Sequence, residues 1–219
     1  NEGDQALAAG NTINNQGNQV LALGNTITNG GDQTIGLGND INNQGDQSLV
    51  AGNTINNQGS QVVALGNTIT NDGDLAFAAG NDVASTGDQA LAIGNTISSN
   101  GAQIIALGND LSNSGDQNIA MGNNLTNTGD QNIAMGNQVE LSGSMNIAMG
   151  NEVGITGGGS NIAFGNDVSI STGTGNIAMG NNIAQLGGVG TITIGNAALA
   201  GAAQGTIAIG NAAIAAACL

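Results

Sequence analysis

Apolar and polar residues alternate along this chain in a pattern that restarts at a fixed interval. A Gly-Asn pair marks each restart, from Gly10 and Gly24 to Gly150 in steps of 14 residues, then at Gly165, Gly180, Gly195 and Gly210 in steps of 15. With this Gly as position 1, position 4 is apolar in all fifteen copies, from Ile13 and Ile27 to Ala198 and Ala213. Positions 12 and 14 are apolar throughout as well, as in Ile119 with Met121 and Ile133 with Met135. A second Gly at position 8, from Gly17 to Gly143, divides the first ten repeats into two seven-residue halves.

Period-2 alternation with β-branched residues and Gly punctuation predicts strands, two short ones per repeat. A 14-residue unit cannot bury its own apolar face, whereas stacked copies can, which predicts a parallel β-solenoid. The expected architecture is all-β, one domain over residues 1–219, with about 15 coils of 14–15 residues. At an interstrand spacing of about 4.8 Å, such a stack would rise roughly 70 Å.

Stacking turns equivalent positions into rows. Asn at position 2 recurs in every coil (Asn11, Asn25, Asn39, Asn53, Asn67, Asn81, Asn95, Asn109, Asn123, Asn137 and Asn151, then on to Asn211) and predicts a structural amide ladder. Gln at position 10, as in Gln19, Gln33 and Gln47, predicts another. Taking positions 4, 12 and 14 as the inward set makes Met121, Met135, Met149 and Met179 core filler. Position 6 holds Asn15, Asn29, Asn43, Asn57 and Asn71 early and Leu141, Ile155 and Ile170 later, which predicts a wider, more apolar core beyond about residue 140.

The same assignment points position 13 outward. It is Ala at Ala8, Ala22, Ala64, Ala78, Ala92, Ala106, Ala120, Ala134, Ala148, Ala163, Ala178 and Ala208, with exceptions at Gly36, Val50 and Thr193. A flat apolar strip of that length is expected to be an interface with other copies of the chain. Neither terminus shows a capping coil, so end-to-end stacking into a filament is expected too, and Cys218 is a possible crosslink between subunits.

Composition removes most other functions. The 219 residues contain no Lys, Arg or His, so 15 Asp and Glu give a net charge of −15. Nucleic acid offers phosphate and this chain has no cation to meet it; anionic lipid would be repelled, and no stretch predicts membrane insertion. Two Phe and no Tyr or Trp leave no stacking platform for bases or sugars. Ser and Thr lack a base to activate them, so the chain is not expected to be an enzyme. Partial acidic rows (Asp4, Asp32, Asp46, Asp74, Asp88, Asp116 and Asp130 at position 9; Asp40, Asp82, Asp110 and Asp167 at position 3) are expected to be solvated charge. They skip coils, so no cofactor is expected, with Ca²⁺ the one metal they could hold.

Asn146-Ile147-Ala148-Met149-Gly150, Thr206-Ile207-Ala208-Ile209-Gly210 and the run Gly195-Asn196-Ala197-Ala198-Leu199-Ala200 carry a resemblance. They are similar to the repeat of YadA-like heads of trimeric autotransporter adhesins, by period over nearly the whole chain and by motif from about residue 118. That resemblance implies a left-handed parallel β-roll, a homotrimer, a place on a bacterial surface and a host or matrix ligand. The chain departs from the family in having no basic neck, coiled-coil stalk or anchor strands. Its Gly-led halves also resemble ryegrass-type ice-binding rolls. Outward Thr26, Thr28, Thr68 and Thr70, and an outward-assigned row of Asn118, Asn132, Asn146, Asn161 and Asn176, support that alternative; Asp40, Asp82 and Asp110 interrupt it. The expected function is a non-catalytic, extracellular structural or adhesive solenoid that self-assembles as a head or a filament.

Overall fold

The computed structural model describes residues 4–215. It is an all-β parallel β-solenoid of about 15 stacked coils. The coils fall into two compact units, Asn1–Asp110 and Leu111–Leu219. Within each unit strands pair in parallel with their equivalents one coil away. In the first unit Leu49, Gly52 and Asn53 stand beside Val63, Gly66 and Asn67. In the second, Ile133, Gly136 and Asn137 stand beside Ile147, Gly150 and Asn151.

Each coil bends at two left-handed residues, seven apart in the 14-residue coils and eight apart in the longer ones. Position 3 has φ near +55°, as at Thr26 (54°) and Asp167 (55°), and so does position 10, as at Gln19 (57°) and Gln131 (60°). Such corners reverse the direction in which a peptide donates. The Thr26 N–H points one coil back, to the Asn11 carbonyl at 2.9 Å, whereas the Leu21 N–H points one coil on, to the Thr34 carbonyl at 3.0 Å. The pairing expected as two strands is therefore one ladder bent at position 3. It is split in the first and last described coils, as Leu21–Asn25 with Thr28–Asn29 and Ile192–Asn196 with Leu199–Ala200, and continuous in those between, as Leu49–Asn57 and Ile147–Gly159. The remaining side of the coil, up to position 11, is mostly tight turn.

Glycine at positions 1 and 8 answers a close approach between coils. A Cβ on Gly66 (φ 143°) would run into the carbonyl oxygen of Gly80, and one on Gly59 into that of Gly73. Where the repeat lengthens to 15, the extra residue enters after position 7, and the register slips between Ser142 and Ser144.

The core is the narrow space between the two walls of each coil. Position 4 faces inward as expected, with Ile27, Ile55, Ile69, Leu125 and Val168 buried. Its partners are not positions 12 and 14 but positions 6, 11 and 13. A seven-residue half is odd, so the inward parity flips from one half to the next, and inward 4 and 6 become inward 11 and 13. This corrects the sequence-based assignment of faces and everything built on it.

Candidate functional site

The Ala row is the first casualty. Ala22, Ala64, Ala78, Ala92, Ala106, Ala120, Ala134, Ala148, Ala163 and Ala178 are all 0% exposed and Ala208 only 3%. They cannot present the interface expected of them. Their size is set from inside: a Cβ built on Gly36, at the same position, would lie 3.6 Å from Ile27 Cγ2 and 4.0 Å from Ile41 Cγ2. A large position 4 on one wall leaves room only for a small position 13 on the other.

The two rows beside Ala then turn outward. Position 12 runs Leu21, Ile35, Leu49, Val63 and Phe77 through Ile119, Ile133 and Ile147 to Ile192 and Ile207, and position 14 runs Leu23, Leu37 and Leu65 through Met121, Met135 and Met149 to Ile194 and Ile209. Every one of them is half-buried or exposed. Met121, Met135, Met149 and Met179 thus belong to the surface and not to the core. In the first unit a trough of about 640 Å³ corrugates this face, with Gln61, Gln89, Leu75, Phe77 and Leu91 on its walls.

Amide rows border the apolar band on both sides. Position 2 forms a surface ladder in the second unit, each Asn Nδ2 donating to the next Oδ1, from Asn123 to Asn137 (3.1 Å), Asn137 to Asn151 (2.9 Å) and on to Asn196 and Asn211 (3.2 Å). In the first unit Asn25, Asn39, Asn53, Asn67, Asn81 and Asn95 are exposed in the same row. On the opposite border Gln61 donates to Gln47 at 3.1 Å and Gln131 to Gln117 at 2.9 Å. From position 10 through position 2 of the next coil there is no carboxylate; those of the described residues lie at positions 3, 5, 7 and 9.

The position 9 row is more than solvated charge. Its carboxylates accept backbone N–H groups from the preceding coil, as Asp46 does from Asp32 (2.8 Å), Asp74 from Ser60 (2.6 Å) and Asp130 from Asp116 (2.9 Å). Among the described residues no three His, Cys, Asp or Glu are grouped to hold a metal ion, and no helix is long and apolar enough to cross a membrane. Cys218 lies outside the described residues.

Two buried amide ladders line the core, one at position 6, where the sequence predicts core residues, and one at position 11, where it does not. At position 6, Asn43 Nδ2 donates to Asn29 Oδ1 (3.1 Å), Asn57 to Asn43 (2.7 Å) and Asn71 to Asn57 (3.0 Å). At position 11, the Asn132 N–H donates to Asn118 Oδ1 (2.9 Å), while Asn132 Nδ2 serves the carbonyls of Thr128 (3.0 Å) and Gly143 (2.7 Å). Asn118, Asn132, Asn146, Asn161 and Asn176 are therefore 0% exposed, and the row taken as an ice-facing array is interior. The two positions face each other, since Asn57 Nδ2 also reaches Ser48 Oγ at 3.2 Å. Beyond residue 140 position 6 turns apolar at Leu141, Ile155 and Ile170 before Gln185 returns an amide there, while position 11 holds Asn146, Asn161 and Asn176, so the amide row changes walls in these coils. The seven-residue halves carried the signal for all of this, since position 4 implies position 11.

No protein-family model matches this chain, and no curated protein matches it.

Proposed function

We propose that this protein is a non-catalytic structural or adhesive solenoid that assembles with copies of itself through the apolar band of positions 12 and 14. One observation carries the reading. In each unit of a chain whose every charged side chain is negative, the carboxylates are kept off one band, and that band holds most of the exposed large aliphatic side chains, with Leu186, Val189 and Ile214 exposed outside it. Contiguous exposed apolar surface on a sheet face marks an interaction site. A cationic partner would instead favour the carboxylate rows. A second copy fits because like-charged chains can meet closely only where neither carries charge. The amide rows at either edge supply a polar rim of the kind such interfaces have.

The resemblance to YadA-like heads favours a trimer at a cell surface with a host or matrix ligand; an open heterologous contact would give a filament. Electron microscopy of the purified chain, paired with its mass by light scattering, tests the reading. Trimers or fibres support it, and a monomer at high concentration overturns it. Ice binding, the alternative, keeps only the interrupted Thr positions; a monomer that reshapes ice crystals would favour it.

A further inference from the structure

Four of the five methionines line up on the exposed band. Met121, Met135, Met149 and Met179 all occupy position 14 of the second unit. Backbone register sets Met121 beside Met135 and Met135 beside Met149, then Phe164 between Met149 and Met179. The residues just before the four, Ala120, Ala134, Ala148 and Ala178, are wholly buried, so the methionines point the other way. Met179 is 40% exposed and the other three are half-buried. Adjacent rungs lie about 4.8 Å apart, which makes these thioethers one file along the middle of the charge-free surface. The fifth, Met145, stands apart at position 10 in the Gln row, 54% exposed.

We infer that this file is an oxidation site for hydroperoxides, and that its oxidation switches the apolar band from self-associating to non-associating. The inference rests on the self-assembly reading above. In each step a sulfur lone pair attacks one peroxide oxygen. An S–O bond forms, the O–O bond breaks, and the second oxygen leaves as hydroxide or alkoxide and takes a proton to become water or alcohol. The thioether loses two electrons, the peroxide gains them, and no further reactant is needed. The product is a polar sulfoxide that requires a hydrogen-bond donor when buried. An identical band on a facing copy offers Leu, Ile, Val, Phe and Met side chains at positions 12 and 14, with amide donors only in the Asn and Gln rows at its edges. Because the four are in one file, their sulfoxides accumulate on a single strip. The assembled state, which covers them, would also protect them.

The test uses the full chain, hydrogen peroxide, peptide mass spectrometry after cleavage at Asp, and sedimentation to follow association. Oxidation of the dissociated chain is expected at all four file positions, with association weakened about tenfold or more while far-UV circular dichroism is unchanged. Methionine sulfoxide reductase should restore it. The quadruple variant M121L/M135L/M149L/M179L, with the residue already present at Leu23, Leu37 and Leu65, should assemble and ignore peroxide. M145L alone should remain peroxide-sensitive. Methionines that resist peroxide in the dissociated chain would overturn the site. Unchanged association of a chain carrying four sulfoxides, or equal loss of association by the quadruple variant, would overturn the switch alone. A chain already monomeric before peroxide would overturn the self-assembly reading, and the switch with it.

Discussion

Ala78 and Ala79 are neighbours in sequence and look interchangeable by composition. Ala78 is buried against the opposite wall, whereas Ala79 is half-exposed in a row with Leu65 and Ile93. Ala78→Leu should therefore overpack the core and cost about 1–3 kcal/mol, read by chemical denaturation. Ala79→Leu should leave stability within about 0.5 kcal/mol, as surface changes usually do. The opposite ranking would restore the Ala row to the surface. Hydrophobicity alone misassigns this pair, because the more apolar positions 12 and 14 are the exposed ones. In a thin core the volume available, and not the apolarity of the side chain, decides which residue sits inside. The conformation of the corners was also hidden at this scale. Thr26, Asp40 and Gln19 adopt left-handed φ without being glycine, held there by stacked neighbours doing the same.

Ladders govern stability at the level of the coil. A buried Asn is tolerated because the next copy meets it one coil away, so no amide is stranded while the row is continuous. Asn57 accepts from Asn71 and donates to Asn43, Ser48 and Gly59. Replacing it with Leu should cost about 1–3 kcal/mol, since the groups it served remain buried. The row is broken at Ser85 and Ser99, whose hydroxyls are buried without a partner, as is Asn71 Oδ1. Ser85→Asn with Ser99→Asn should extend the ladder and raise stability by about 1 kcal/mol. A lowered melting temperature would show that those sites cannot accept an amide. The Asn rows at positions 2, 6 and 11 are visible in the sequence as repeats. The interior place of position 6 follows from its shared parity with position 4, whereas that of position 11 follows only from carrying this parity through an odd half, and position 2 is turned outward by the corner at position 3.

For the molecule as a whole, the repeat made the stacked-coil architecture legible from the Gly-Asn spacing, while the interacting face was not, since it depends on which side of a strand is which. A net charge of −15 with no cation opposes every contact between copies. Salt should therefore strengthen association by screening that repulsion, with the midpoint concentration falling between 0.01 M and 0.15 M ionic strength as the Debye length shrinks from about 30 Å to about 8 Å. Association that weakens with salt would point to ion pairing with a contaminant or a bound cation. Concentration must be measured by peptide absorbance, because the chain has no Trp or Tyr.

The most direct test of the account is to place charge in the apolar band and weigh the result. Leu65→Asp and Ile133→Asp put one carboxylate into the outward rows of each unit, where both residues are half-buried. Light scattering should find the parent chain as an oligomer or fibre and the double variant as a monomer, with the same far-UV circular dichroism. A double variant that assembles as the parent does would contradict the claim that this face joins the copies.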